Sequence, residues 1–545
     1  MSQLDWVILV TTLCSIIIYG MYKSRTTRNL DGYFLSNRSM PWYMVLLSIM
    51  GTQASAITFL SAPGQAYTDG MRFVQYYFGL PLAMIVICIF FVPVFRNLKV
   101  YTAYEFLENR FDGKTRSLTS ALFLISRGLS TGISIYAPSI ILSSLLGWNI
   151  YYTNLVMGGL LIIYTMSGGA KAVAYTQQLQ LIIIISGMFL AGYMVVALLP
   201  DGMGFSEAIQ RAGEKGKMNI ITSGVTDGKF DWKDKYNMWS GVIGGFFLAL
   251  SYFGTDQSQV GRYLTAKSEN ESRIGLLVNG LVKVPMQFFI LLVGVLVFSF
   301  YQYHKAPIYF DNAKVILAKN TPYKDSLVNL EQNYAAAITA NEPETATLLR
   351  AEYKSVLKKA LPGDDANDAN FVFLRFVVDN LPKGLVGLLI AVIFLAAWGS
   401  IAAALNSLAS CTVVDFHKKY INRNCTEGED YSISKWYTFA WGVFCIIVAM
   451  FAHNLGNSLI EAVNILGSLF YGVILGIFLV AFWMKPIKAN AVFIASVISE
   501  CLVILIYNLD VISFLWLNVI GAVLVILLSL LIQPFTSFIK KAGSQ

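Results

Sequence analysis

The chain has 545 residues, of which 56% are hydrophobic and 13% charged, and its mean hydropathy is +0.60. Soluble domains carry about 25% charged residues, so this balance excludes an ordinary water-soluble fold and points to a polytopic membrane protein. The net charge of +8 asks for no nucleic-acid partner if the basic residues collect at one membrane face.

The N-terminus, MSQLDWVILV, has neither a basic n-region nor a small-residue cleavage site and reads as a retained span. In all, thirteen apolar stretches have span length: near 4–22, 41–62, 73–95, 117–145, 149–167, 176–199, 237–256, 274–301, 383–408, 436–453, 457–484, 490–508 and 515–537. With the N-terminus outside, the inner loops carry 21 Lys and Arg and the short outer loops 7. The positive-inside rule therefore predicts an outer N-terminus and a cytoplasmic C-terminus, and an odd number of spans agrees. One outer segment, 302–382, is polar, of mixed charge, and holds helical runs such as LLRAEYKSVLKKAL. A loop of that length is expected to be a small subdomain, covering an outer vestibule or merely decorating the chain.

The six cysteines (Cys14, Cys88, Cys411, Cys425, Cys445 and Cys501) fall in spans or on the cytoplasmic side, so no disulfide framework is implied. The three histidines, His304, His417 and His453, lack metal-ligand spacing. Walker and HExxH patterns are missing from the sequence, which argues against an ATP-driven pump and against a zinc-protease type of enzyme.

Pro41 to Tyr67 is long enough to span, yet its middle reads Gly51-Thr52-Gln53-Ala54-Ser55-Ala56. Small and polar residues at that depth fit either a close helix contact or a broken helix that binds something. Arg127, Lys283 and Glu500 also lie within spans, where a basic residue costs roughly 2.5–3.5 kcal/mol and should face the protein interior. In the ninth span Ala396 and Ser400 are four apart, so the Ser400 hydroxyl lies beside the Ala396 carbonyl, with Gly399 adjacent. Carbonyls from an unwound 51–54 together with this cluster would make an all-oxygen cage suited to Na⁺; tight packing of small residues is the alternative.

Several stretches are similar to one family: GYFLSNRSMPW at 32–42, SAITFLSAPGQAY at 55–67, YTAYEFLENRF at 101–111, SGGAKAVAYTQQLQ at 167–180, YFGTDQSQVGRYLTAK at 252–267 and LNSLASCTVVDF at 405–416. Over about residues 30–485 the chain resembles the sodium/solute symporters, which include the sodium/glucose, sodium/iodide, sodium/multivitamin and bacterial sialic-acid transporters. YEFLENRF places it nearer the iodide, vitamin and monocarboxylate branch. The resemblance implies an all-α, amino-acid/sodium-symporter-like fold: an inverted five-plus-five helix repeat whose first helices are broken. Residues 1–40 would be a leading helix and link, 41–200 the first repeat and 201–236 an outer loop; 237–484 would be the second repeat, and 485–545 two further helices with a short tail.

The resemblance also implies a sodium site of the Gly51, Ala54 and Ala396 carbonyls with two hydroxyl positions, 399 and 400. Gly399 breaks that pattern and leaves Ser400 as the sole hydroxyl. A second sodium site of some members needs an aspartate and two serines where this chain has Gln177, Ala402 and Ala403, so one Na⁺ per cycle is expected. At ~100 mV one inward charge contributes about 2.3 kcal/mol, roughly fiftyfold accumulation. The sugar-binding positions of relatives read Thr58, Tyr77, Ala249 and Lys283, with Tyr252 as the inner gate, so lysine and the gate remain while three sugar ligands are gone. Arg127 is the counterpart of an arginine that pairs with the carboxylate in the sialic-acid members, and Gln53 is a further substrate contact; a structural anchor is the other reading of Arg127. The expected function is import of a small polar organic solute (sugar-like, sialic acid, carboxylate or vitamin) with Na⁺ across the plasma (inner) membrane. The expected partners are solute, Na⁺ and lipid, without nucleic acid, in a monomer or weak oligomer. A sodium-independent uniporter or channel, a nutrient-sensing transceptor and iodide-like anion transport are the alternatives; a transceptor would need an output domain, and the chain ends in KKAGSQ.

Overall fold

The computed structural model describes every residue except 24–29, 341, 364–365, 424–425, 455–457 and 543–545. Arg25, Arg28, Cys425 and the last three residues of the tail therefore lie outside the described residues. The described residues are almost wholly helical, and among them ten helices are long and apolar enough to cross a membrane. Two shorter apolar helices, Ile150–Met166 and Ser240–Thr255, join them.

Helix α1 (Gln3–Lys23) leads into a split crossing formed by α2 (Trp42–Gln53) and α3 (Ala56–Asp69). Between them Ala54 leaves helical geometry at φ −81°, ψ 77°, and Ser55 is extended at ψ 170°. Gly70, at φ +75°, turns the chain into the short segment Gly70–Tyr77, and α4 (80–98) runs back. Asp112 starts α5 (Gly113–Leu146) by accepting a hydrogen bond from Thr115 N at 2.8 Å.

Segment α6 (Ile150–Ala197) follows, and it is no straight rod: its apolar helices are Ile150–Met166 and Val173–Ala197. The Tyr164 hydroxyl lies 2.5 Å from Thr176 Oγ1, twelve residues on. A straight helix would separate them by roughly 18 Å. The first arm runs antiparallel to α12, with Gly158 against Ile446 and Ile162 against Gly442; the second runs antiparallel to α11, with Gln180 against Gly399 and Gly187 against Val392. The two stretches read from the sequence as separate spans, near 149–167 and 176–199, are thus two antiparallel apolar arms, Ile150–Met166 and Val173–Ala197.

A second split crossing follows: α7 (Ser240–Thr255) stops at Asp256, at φ −74°, ψ 117°, and α8 (Gln257–Leu264) begins there. Further helices of the bundle are α9 (Glu269–Tyr303), α10 (Ala369–Asn380), α11 (Leu385–Cys411), α12 (Glu427–Phe451), α13 (Leu459–Trp483), α14 (Ala489–Asn508) and α15 (Phe514–Ala542). Every residue of α11 from Leu389 to Cys411 is buried, as a helix apolar on all sides must be, so α11 is the centre of the bundle. The one sheet among the described residues is a hairpin pairing Val225 with Phe230 and Thr226 with Lys229; Asp227 and Gly228 both take the positive φ of a type I′ turn.

The 302–382 segment builds its own small core. Ile308, Tyr309, Leu327, Tyr353 and Leu357 cluster beneath the helices Lys324–Thr339 and Pro343–Ala360. Asp368 ties this unit together: it accepts from Arg350 at 2.9 Å, Lys354 at 2.6 Å and Phe310 N at 3.0 Å. Burial would raise the Asp368 carboxyl, but Arg350 and Lys354 outweigh it and hold the group below the ordinary carboxylate value. The last helix of the segment, α10, docks on α3 so tightly that a Cβ on Gly64 would sit 1.8 Å from the Ala369 carbonyl oxygen.

The YEFLENRF stretch acts as a clamp at the opposite face. Glu105 accepts from the Tyr101 and Thr102 amides, Glu108 pairs with Arg116 and Lys419, and Arg110 donates to the carbonyls of Ala481, Met484, Lys485 and Ile487 at the end of α13. These charged residues satisfy chain ends where helices stop, which explains their density in so apolar a protein.

Candidate functional site

The first break frees particular oxygens. Ala54 N donates to Met50 O, but Ser55 N turns to Gln53 O at 3.1 Å and Thr58 N to Ser55 O at 3.0 Å. The α-helical donors that would have closed on the Gly51 and Ala54 carbonyls are therefore committed elsewhere. Small residues allow this: with no bulky side chains at 51 and 54, the break stays buried among neighbouring helices rather than in lipid.

Across from the break, the Ser400 hydroxyl of α11 donates to Ala396 O at 3.0 Å and to Ala397 O at 3.1 Å, leaving its own lone pairs available. The donor set expected from the sequence, carbonyls of Gly51, Ala54 and Ala396 with the Ser400 hydroxyl, is neutral and all-oxygen, a chemistry that would suit a hard monovalent cation. Gln177 of α6 stands between the two helices. Its Nε2 donates to Gly399 O at 3.0 Å and to Thr52 Oγ1 at 3.2 Å, and its Oε1 accepts from Ser48 at 2.9 Å. The Gly399 carbonyl, counted among the cation ligands from sequence, is thus already taken by an amide N–H. The room a serine would use at 399 is filled as well, since a Cβ there would lie 2.5 Å from Gln180 Oε1.

Beside this cluster lies a central cavity of about 130 Å³. Gln53, Thr58, Tyr77, Arg127, Tyr252 and Ser400 all line it, together with Ser130, Ser134, Asn464 and Tyr471. Arg127 is set by the second break. Its guanidinium stands 4.0 Å from Asp256 Oδ2 and 5.9 Å from the centre of the Tyr252 ring. Asp256 is held in turn by the Tyr471 hydroxyl at 2.7 Å and by Ser258, whose amide and hydroxyl both donate to it at the start of α8. Among the described residues Arg127 Nε has no hydrogen-bond partner.

The family model for the Sodium:solute symporter family matches residues 33–338 and 346–499. The chain belongs to that family. This symporter is 25% identical over 541 residues to the sodium/sialic acid symporter NanT of Aliivibrio fischeri, covering 98% of this chain and 93% of that one. It is 24% identical over 468 residues to the Homo sapiens sodium/iodide cotransporter, covering 85% of this chain and 63% of the relative. In fold it is similar to a Na⁺-coupled sialic acid symporter solved in a substrate-bound outward-open state, with a TM-score of 0.78, 23% identity and 98% of both chains covered. Na⁺ is therefore the coupling ion, and the symporter's relatives are transporters rather than enzymes.

Lys283 is the one proposed substrate residue of the symporter that does not line the cavity. It is buried in α9 behind Tyr77, whose ring centre lies 5.5 Å from its Nζ. Glu500 is buried in α14, outside the cavity lining, with neither carboxylate oxygen hydrogen-bonded among the described residues. Sequence reasoning assigned no role to Asp256, Ser130, Ser134, Asn464 or Tyr471. For Ser130 and Ser134 a signal existed: they stand one turn apart in SRGLSTGIS, on the face after Arg127. For Asn464 and Tyr471, single polar residues in an apolar helix, there was none.

Proposed function

We propose that this symporter imports a small hydroxylated organic anion with one Na⁺ per cycle. The observation that carries the solute class is Arg127: its guanidinium lines the central cavity with an unmet Nε, only loosely paired at 4.0 Å, among Thr58, Ser130, Ser134 and Asn464. An arginine fork so placed suits a carboxylate, and the hydroxyls and amides around it suit a polyhydroxylated body. The replaced sugar positions and the sialic-acid specificity of NanT support the same class.

Na⁺ would bind the Gly51, Ala54 and Ala396 carbonyls and Ser400, while Gln53 and Thr58 hold the solute within about a turn on the same broken crossing. Coupling then has a physical basis: each ligand orders backbone that the other needs. Gln177 favours a single ion, because a neutral amide already joins α2 to α11 where an aspartate would call for a cation. The proposed frame has thirteen crossings, an outer N-terminus, and the two breaks opening the two halves of an inverted repeat.

One Na⁺ with one carboxylate moves no net charge, so the driving force is the Na⁺ gradient alone, and a tenfold gradient sustains about tenfold accumulation. The test is uptake into proteoliposomes of N-acetylneuraminate, pyruvate, biotin and galactose, with the membrane potential clamped by valinomycin. A carboxylate solute should accumulate only with an inward Na⁺ gradient and to the same level at every potential. Gradient-independent equilibration would overturn symport, uptake of galactose alone would overturn the anionic solute, and accumulation that follows voltage would overturn the single ion.

A further inference from the structure

Asn279, Lys283 and Gln287 occupy positions i, i+4 and i+8 of α9, which brings them onto one helix face. All three are buried, at 0%, 1% and 0% exposure. Among the described residues neither the nitrogen nor the oxygen of either side-chain amide has a hydrogen-bond partner, and no ionised group faces Lys283. What Lys283 does face is Tyr77, a wall residue of the central cavity. Gly280, on the same stretch, packs on Pro81 and Met84 of α4, so this part of α9 runs just behind the Tyr77 wall.

Two unmet amides flanking an unpaired ammonium form a costly arrangement in a dry interior, and apolar side chains of similar size would pack there without that cost. Polar groups of this number and spacing gain partners when water or a ligand reaches them, and the closed packing behind Tyr77 gives the two amides none. A lone positive charge at their centre selects the sign of what enters.

We infer that Asn279, Lys283 and Gln287 line a water-filled, anion-selective seam behind Tyr77, which takes the carboxylate end of the solute when that ring moves aside. The seam's role in transport rests on the anionic solute proposed above; its hydration and charge preference do not.

The experiment uses full-length protein in proteoliposomes, with Asn279→Cys and Gln287→Cys made singly and Ser134→Cys as the cavity reference. Modification by anionic sulfonatoethyl and cationic trimethylammonium-ethyl methanethiosulfonate is measured above the background of the native cysteines. At either seam position the ratio of anionic to cationic rates should be at least about tenfold above that of a free thiol in solution, and Lys283→Gln in the same background should abolish the preference. Cysteines at 279 and 287 that stay unmodified while Ser134→Cys reacts would show a dry seam and overturn the inference. A rate ratio no higher than that of the free thiol, or a preference that survives Lys283→Gln, would overturn its anion selectivity. Because labelling needs no solute, it reads out even if Na⁺-driven uptake of carboxylates fails.

Discussion

The two broken crossings carry the same backbone lesion and opposite chemistry. At Ala54–Ser55 the break is neutral and small, and its Gly51 and Ala54 carbonyls have lost their helical donors. At Asp256 the break carries a buried carboxylate already engaged by Ser258, Tyr471 and Arg127. On the proposed reading the first is completed by a cation that arrives, and the second by side chains that stay. The cavity has Thr52, Gln53 and Ser55 of the first break on one side and the partly compensated Arg127 guanidinium on the other. That asymmetry can bring a cation and an anionic solute to neighbouring positions without a permanent ion pair blocking either.

The largest test removes the fixed charge. Asp256→Asn leaves the Arg127 guanidinium buried without a counter-charge and should lower stability by about 3–5 kcal/mol, read as a fall in melting temperature with loss of uptake. An unchanged melting temperature would show that the second break is not held by charge. Next, Ser400→Ala deletes one cage oxygen and should raise the Na⁺ concentration for half-maximal uptake about tenfold, a cost of roughly 1.4 kcal/mol, with little change in melting. If apparent Na⁺ affinity holds, the first break is not where the cation sits. Gln177→Glu should convert the neutral bridge into a second cation site, turning a Hill coefficient for Na⁺ near one toward two and making uptake voltage-dependent. Gly399→Ala should cost least, about 1 kcal/mol, since its Cβ needs the end of the Gln180 side chain to shift and Gln177 Cγ, at 3.2 Å, to give slightly. A larger loss there would mean the glutamine pair is rigid.

The first break was legible because GTQASA interrupts an apolar run with the residue types that cannot pack in lipid. Ser400 was legible by its spacing from Ala396. Asp256 was not, although it stands in a stretch that carried the family resemblance: an aspartate followed by Gln-Ser reads as an ordinary helix cap, which it also is. Its partnership with Arg127 joins residues 129 positions apart, and no local pattern encodes that. Lys283 was legible as a buried cation but not as a residue behind the cavity wall, because periodicity fixes a helix face and not the layer that covers it. The two arms of α6 were legible, because hydropathy shows a separate peak for each.

The contact between Gly64 and the Ala369 carbonyl leaves no room for even a methyl group. Helix α3, half of the broken crossing, thus rests directly on the backbone of the 302–382 unit, and Tyr67 adds a ring contact to Phe310 at 5.5 Å. That unit is a handle. An antibody fragment clasping its helices would grip the moving part of the transporter and could arrest the cycle without entering the cavity.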